Sequence, residues 1–285
     1  MSELKIAIQK SGRLSENSHR LLEECGIKFS NGTGVLKTRA VNFPVEILFL
    51  RDDDIPQYVE QQVVDIGIIG ENMVLEKNKD VSIIVKLGFA QCRLSLAIPK
   101  EENYPGLEYF NNKKVATSYP RLLTEYFRKN GIKAEIEEIS GSVEIAPGIG
   151  LADAVCDIVS SGSTLLTNGL REATTILKSQ AVIIGNKKLS DEKMRILDKL
   201  LFRIRAVKSA GENKYILLNA PESAIPEICS ILPGMKSPTI LPLVEKGWCS
   251  LHSVVREDEF WERINQLKSA GAEGILVIPI EKMIL

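Results

Sequence analysis

Short apolar runs separated by helix-patterned stretches recur along this 285-residue chain, and that alternation restricts it to α/β architecture. LKIAIQ (4–9) reads as a buried strand, followed by a helix over SENSHRLLEECG (15–26) with Ser15 at its N-cap and Gly26 at its stop. VEILFL (45–50) is the next strand. DDDIPQYVEQQVVD then leads into a helix with acidic residues ahead of it and Pro56 in its first turn. DIGIIG (65–70) returns as a core strand.

A second set begins near Gln91. RLSLAIP (93–99), KVATSYP (114–120) and AEIEEIS (134–140) are strands, with the helix RLLTEYFRKNG (121–131) closed by Gly131. SVEIAPGIGLAD (142–153) reads as a short helix broken at Pro147 and Gly148, and AVCDIVSSG (154–162) as a strand entering a loop. Val64-Asp65-Ile66-Gly67-Ile68-Ile69-Gly70 and Cys156-Asp157-Ile158-Val159-Ser160-Ser161-Gly162 share an Asp-Ile-x-x-x-Gly frame. Either two similar lobes face a common cleft, or two buried strands ending in glycine coincide by chance. Ligands of open α/β folds bind beyond the carboxyl ends of strands, where both frames place their glycines.

The last third is patterned differently. SDEKMRILDKLLFRIRAVKSAG (190–211) is a long helix ending at Gly211. Strand, helix, strand, strand, helix and strand then follow, the βαββαβ order of the ferredoxin-like split motif, with a boundary near Ser209–Asn213.

Composition narrows the function. A formal charge of −1 supplies no basic field for nucleic acid. No apolar run is long enough to span a bilayer, and the opening MSELKIAIQ has no signal pattern, so a cytoplasmic location is expected. The five cysteines are scattered without a CxxC pair, which suggests reduced, buried thiols. Only His19 and His252 occur, which argues against an imidazole-rich metal site and against a serine or cysteine hydrolase.

The sharpest local motif is Asp157-Ile-Val-Ser-Ser-Gly-Ser-Thr-Leu. A strand delivers the chain to Ser160, Ser161, Gly162, Ser163 and Thr164, where a helix is expected to start. Free amides at such a junction suit a phosphate, and Gly162 permits close backbone approach. The alternative is that Ser and Thr simply cap the helix. No Lys follows the glycine as in a Walker loop, and the dinucleotide fingerprint is absent.

The run Gly150-Leu-Ala-Asp-Ala-Val-Cys-Asp-Ile-Val-Ser-Ser-Gly-Ser-Thr-Leu resembles the phosphoribosyl diphosphate loop of ATP phosphoribosyltransferases. The resemblance extends through Gln9-Lys-Ser-Gly-Arg-Leu, Arg51-Asp-Asp-Asp-Ile-Pro, Asp65-Ile-Gly-Ile-Ile-Gly-Glu-Asn, Cys92-Arg-Leu-Ser-Leu-Ala and Ala116-Thr-Ser-Tyr-Pro. It reaches the end of the chain in Ser237-Pro-Thr-Ile-Leu-Pro-Leu and Ile275-Leu-Val-Ile-Pro-Ile-Glu-Lys-Met. With its C-terminal module the chain looks like the family's long form, which needs no separate regulatory subunit.

The resemblance implies a two-lobed, periplasmic-binding-protein-like (type II) catalytic core with a ferredoxin-like (ACT-like) regulatory domain. Lobe I would comprise residues 1–90 and 182–208, lobe II residues 91–181, and the histidine-binding domain residues 209–285. It implies transfer of the phosphoribosyl group to N1 of ATP with loss of diphosphate, as the first step of histidine biosynthesis. Further implied are feedback inhibition by histidine, AMP as a further ligand, and dimers and hexamers.

By the same resemblance Ser160, Ser161, Gly162, Ser163 and Thr164 hold the 5-phosphate, and Asp157 lies near the ribose hydroxyls. Lys10, Ser11, Gly12 and Arg13 follow the first strand and are assigned to ATP or diphosphate, with Arg51, Arg93, Glu71 and Tyr119 as further candidates. Solvated loop charge is the alternative for each cation. Mg²⁺ would be held mainly by diphosphate oxygens, with Asp157 and Asp153 as candidate protein ligands. Glu144 is a candidate proton acceptor. Asn219 and Thr239 are the candidate histidine contacts. Two departures stand out: the loop reads Ser-Ser-Gly-Ser-Thr where relatives often have threonine before the glycine and alanine after it, and Asn219 stands where some relatives carry an acidic group or a histidine. The main rival is a two-lobed small-solute binding or sensor protein. Another phosphoribosyltransferase is disfavoured because no acidic pair precedes the loop.

Overall fold

The computed structural model describes residues 3–30 and 34–285, so Met1 and Ser2 of the opening MSELKIAIQ lie outside them. The first sheet is built from β1 (Leu4–Gln9), β2 (Lys37–Arg39), β3 (Val45–Leu50), β4 (Ile66–Gly70) and β5 (Ser82–Lys86). Between these run α1 (Arg13–Glu24), α2 (Ile55–Glu60) and α3 (Glu71–Lys77). The chain then enters a second sheet through β6 (Cys92–Pro99), β7 (Lys114–Thr117), α4 (Pro120–Asn130), β8 (Glu135–Glu138), β9 (Ala154–Val159), α5 (Ser163–Thr167) and β10 (Leu170–Ser179). A last strand, β11 (Ala181–Gly185), returns to the first sheet.

The sheet orders are β2-β3-β1-β4-β11-β5 and β10-β6-β9-β7-β8. In the first, β1 is parallel to β3 and β4, and β11 runs against β4. In the second, β7 is parallel to β8 and β9, and β6 runs against β9. Both therefore contain three parallel strands in the order second-first-third, closed by a reversed strand. That repeated topology, with the chain crossing twice between the sheets, is the two-lobed type II architecture. β4 and β9, the strands of the shared Asp-Ile-x-x-x-Gly frame, occupy equivalent places. The aspartates differ: Asp65 precedes its strand, whereas Asp157 lies inside β9.

Burial explains the sequence patterns. β4 is continuously apolar because Ile66, Ile68 and Ile69 are all buried, as expected for a central parallel strand covered on both faces. Gly67 lies so close to α2 that a Cβ would overlap Ile55. His19 packs between Phe29 and Phe49, with ring centroids 5.4 Å from each, a packing role. All five cysteines are free thiols, and burial pushes Cys25 up to about 12.

Local expectations are corrected at three points. α1 begins at Arg13, two residues before Ser15, which is buried. The stretch 142–153 forms a single 3-10 turn (Val143–Ile145) rather than a helix, because Pro147 and the glycines after it interrupt the ladder. Gly211 does not stop the long helix, α6 (Asp191–Glu212), which runs directly into the next strand.

The third sheet holds β12 (Asn213–Pro221), β13 (Thr239–Pro242), β14 (Trp248–Arg256) and β15 (Glu273–Pro279), with α7 (Ile225–Ile231) and α8 (Glu257–Ser269). Its all-antiparallel order β13-β14-β12-β15 is ferredoxin-like. Ile216, Leu218 and Ala220 of β12 join Ile228, Phe260 and Leu267 in one core, leaving Tyr215, Leu217 and Asn219 on the other face.

The chain forms two compact units. One holds the residues up to Arg20 together with Ile27–Ile196, and the other Leu21–Gly26 with Leu197–Leu285. The change thus falls inside α6, earlier than the expected limit of lobe I at residue 208. Leu197, Leu200, Ile204 and Ala210 are buried. Arg203 donates to the Cys25 carbonyl (3.1 Å), and Met283 N–H to the Ala206 carbonyl (2.9 Å), so most of α6 serves the second unit.

Candidate active site

Within the first unit, the carboxyl ends of the parallel strands open onto a cleft of about 340 Å³ between the two lobes. Its wall includes Arg13 and Asn17 of α1, Asp52, Asn72 of α3, Gln91 and Cys92 at the crossing, Tyr119, and Ser160. Three residues expected from sequence, Arg13, Tyr119 and Ser160, thus meet although 147 positions separate the first from the last. Asp52, Asn72, Asn17 and Gln91 were not anticipated. Burial and the neighbouring Asp53 raise the Asp52 carboxyl. Tyr119 is buried, and its hydroxyl accepts a hydrogen bond from Asn72 Nδ2 (2.9 Å).

The loop after β9 keeps its expected layout. Ser160, Ser161, Ser163 and Thr164 are exposed, and Gly162 adopts φ +83°, a left-handed conformation that favours glycine. Ser161 Oγ lies 3.0 Å from Ser163 Oγ and accepts from Ser163 N–H (3.4 Å). The helix that follows has only five residues, so its dipole adds little. What the loop presents to solvent is therefore its amides and hydroxyls.

Arg93 is engaged by protein partners. Its Nε and Nη2 donate to the two carboxylate oxygens of Glu172 (2.6 and 2.5 Å), and Nη1 donates to the Ser160 carbonyl (3.0 Å). Ser95 Oγ also donates to Glu172 (2.7 Å), and these partners hold the Glu172 carboxyl down at about 2. Arg93 is therefore an anchor of the loop, and the guanidinium fork is engaged by protein. Glu172 was missed because β10, reading LREATTILKS, has no uninterrupted apolar run.

Asp157 is half-buried, with Oδ1 accepting from its following amide, Ile158 N–H (2.7 Å). Burial pushes its carboxyl up to about 6, and the charge of Glu144 adds to the rise. Glu144 thus lies within electrostatic reach of Asp157, on the 3-10 turn.

The remaining candidates divide. Lys10, Ser11 and Gly12 form the exposed turn between β1 and α1, docked by Lys10 N–H on the Leu50 carbonyl (2.8 Å). Arg51 is exposed beside the cleft residue Asp52. Glu71 is turned to Lys86 (2.8 Å), and its neighbour Asn72 lines the cleft instead. Asp153 stands at the amino end of β9 and accepts from Lys114 N–H (2.8 Å). A six-residue strand separates it from Ser160, about 20 Å at ~3.3 Å per residue, so it is a structural cap and no ligand of a metal at the loop.

In the second unit, Asn219 pairs with Ser250 and Thr239 with His252, which puts both candidates on the sheet face away from the helices. They are two strands apart, about 10 Å across the sheet. His252 lies between them, with Nδ1 2.7 Å from the Tyr215 hydroxyl and Nε2 3.2 Å from Ser250 Oγ. Phe260 is buried, while Trp261 is 59% exposed.

Comparison with known proteins agrees with this layout. A family model described as ATP phosphoribosyltransferase matches residues 51–206, and one described as the HisG C-terminal domain matches residues 210–282. An ATP phosphoribosyltransferase of Cytophaga hutchinsonii is 59% identical, covering 99% of this chain and 98% of its own. One of Bacteroides thetaiotaomicron is 58% identical over 99% and 100%. In a solved structure, the ATP phosphoribosyl transferase (HisG:HisZ) complex from Thermotoga maritima, a chain 29% identical matches with a TM-score of 0.61, covering 71% of this chain and 98% of that one. The chain belongs to the ATP phosphoribosyltransferase family of enzymes.

Proposed function

We propose that the interlobe cleft transfers the 5-phosphoribosyl group from phosphoribosyl diphosphate to N1 of ATP, the first step of histidine biosynthesis. The observation that carries this reading is the convergence of Arg13, Tyr119 and Ser160, the first residue of the loop, on one cleft. The N1–C1 bond forms as the bond from C1 to the diphosphate oxygen breaks, and the diphosphate leaves with the electron pair. Such a transition state has oxocarbenium character. The protein's task is to align two polyanions and to stabilise the leaving charge.

In this reading Ser160 to Thr164 receive the 5-phosphate, and Asp157 faces the ribose hydroxyls. Arg13 and the exposed Lys10 turn supply cationic and amide donors to ATP or diphosphate. Asp157, with a carboxyl near neutrality and Glu144 beside it, is better placed than Glu144 alone to exchange a proton. A cleft of about 340 Å³ is at the low end for even one small ligand, so two substrates require the lobes to part further.

Among the described residues no three His, Cys, Asp or Glu side chains converge as a metal cage. In this reading Mg²⁺ is carried on diphosphate oxygens and water, with Asp157 as the nearby carboxylate. When bound, Mg²⁺ would neutralise the leaving diphosphate.

We further propose that histidine inhibits through residues 209–285, reading Asn219 and Thr239 from the open sheet face, and that AMP is a second nucleotide ligand. Dimers and hexamers are the expected assemblies, with no separate regulatory subunit. Among the described residues no helix is long and apolar enough to cross a membrane, and a cytoplasmic location accords with that. The test is ultraviolet absorbance of N1-substituted adenine on mixing protein, ATP, phosphoribosyl diphosphate, Mg²⁺ and pyrophosphatase, with and without histidine. A rise that histidine suppresses is expected. No rise from folded protein would overturn the catalytic reading and favour the two-lobed solute binder.

A further inference from the structure

Asn72 and Glu76 stand four residues apart on α3, hence on one helix face, and both are buried. That face belongs to the first lobe and meets the second. The Glu76 carboxylate accepts from Arg121 N–H (2.9 Å) and Leu122 N–H (2.9 Å), two amides of the first turn of α4. First-turn amides have no acceptor within their own helix. The residue before α4, Tyr119, supplies no side-chain cap, and Pro120 has no N–H to offer. A helix of one lobe is thus capped by a carboxylate of the other. Arg121 reinforces the contact by donating to the Leu75 carbonyl.

Four residues earlier, Asn72 is fixed by three hydrogen bonds to two residues. Its N–H donates to Ser179 Oγ (2.9 Å), Ser179 Oγ donates back to Asn72 Oδ1 (2.8 Å), and Asn72 Nδ2 holds the Tyr119 hydroxyl (2.9 Å). Gly70 has an ordinary φ of −69°; it leaves room for this arrangement because a Cβ there would overlap Asn72 Oδ1. Tyr119 is therefore gripped at its hydroxyl by Asn72 and, through the start of its helix, by Glu76. It also lines the cleft.

We infer that Glu76 is a positioning residue of the transferase cleft, latching α4 across the lobe boundary so that Tyr119 is held in the cleft wall. This rests on the cleft being the substrate site proposed above.

The test uses the full chain and its Glu76→Ala and Glu76→Gln variants. Hydrogen exchange by mass spectrometry over residues 119–123 reads the latch without reference to activity. The wild type should protect Arg121 and Leu122, and Glu76→Ala should exchange them at least about tenfold faster, the scale of losing a hydrogen bond to a charged group. Glu76→Gln, which keeps one acceptor, should fall between and serves if the alanine variant does not fold. In the transferase assay Glu76→Ala should raise KM for ATP by about tenfold with a smaller change in kcat. Combined with Tyr119→Phe, its effect on kcat/KM should be less than multiplicative. Unchanged exchange, or fully multiplicative effects, would overturn the inference. An inactive wild type would sink the transferase reading instead, and exchange alone would still judge the latch.

Discussion

Replacing Glu172 by Gln keeps the side chain's shape and removes the charge that Arg93, Ser95 and Thr175 share. The Arg93 guanidinium lowers the Glu172 carboxyl from an ordinary 4.5 to about 2 against the opposing effect of burial, and Ser95 and Thr175 assist. At roughly 1.4 kcal/mol for each tenfold in proton affinity, that corresponds to about 3 kcal/mol. The side chains of Arg93 and Glu172 are 32% and 27% exposed, and solvent screening reduces the figure to about 1–2 kcal/mol. Because the folded carboxyl titrates below its unfolded value, this stability is complete above 4.5 and lost as pH falls toward 2. Glu172→Gln should therefore be less stable by about 1–2 kcal/mol at neutral pH, and the deficit should shrink across that acid window. Urea denaturation followed by circular dichroism at a series of pH values measures it. Tryptophan fluorescence is unsuitable because Trp248 and Trp261 both lie in the second unit. Arg93 also holds the Ser160 carbonyl, so KM for phosphoribosyl diphosphate should rise more than KM for ATP. Equal stability at neutral pH, or a deficit that ignores pH, would refute the reasoning.

Three further outcomes are expected. Asp157, raised from 3.8 to about 6, binds its proton more tightly in the folded state, so its contribution to stability declines as pH rises between those values; Asp157→Asn should flatten that part of the urea-midpoint profile. Gly162→Ala imposes a side chain at φ +83° and should cost about 1 kcal/mol in denaturation while raising KM for phosphoribosyl diphosphate. Asp153→Asn keeps an acceptor for Lys114 N–H and should leave the Mg²⁺ dependence of turnover unchanged.

The two-lobe reading began with a shared Asp-Ile-x-x-x-Gly frame whose significance the sequence left open. Sheet order resolves it, since β4 and β9 are the third parallel strands of like-ordered sheets. The aspartates in that frame have diverged in use. Asp65 is buried, accepting from Lys5 N–H (2.8 Å) and pairing with Lys193 (2.9 Å), whereas Asp157 accepts from Ile158 N–H (2.7 Å) and is raised by burial and, to a lesser degree, by the charge of Glu144.

Periodicity and punctuation in the sequence determined most of the elements, the βαββαβ order of the last third, and the loop after β9. These are local properties: burial of a strand's two faces, a helix's stripe, and the conformational freedom of Gly162 are all written in neighbouring residues. Four strands, β2, β5, β10 and β11, escaped: the edge strands β2 and β10 have no continuous apolar run, whereas the apolar runs of β5 and β11 are too short to tell from a helix or a linker by pattern alone. Only the tertiary structure decided which charged residues remain available to ligands. Arg93 and Glu172 are 79 positions apart, Glu71 finds Lys86, and Glu76 finds α4 some 45 positions on. A side chain's partner depends on which strands and helices are brought together, and no local pattern records whether its hydrogen-bonding capacity has already been used.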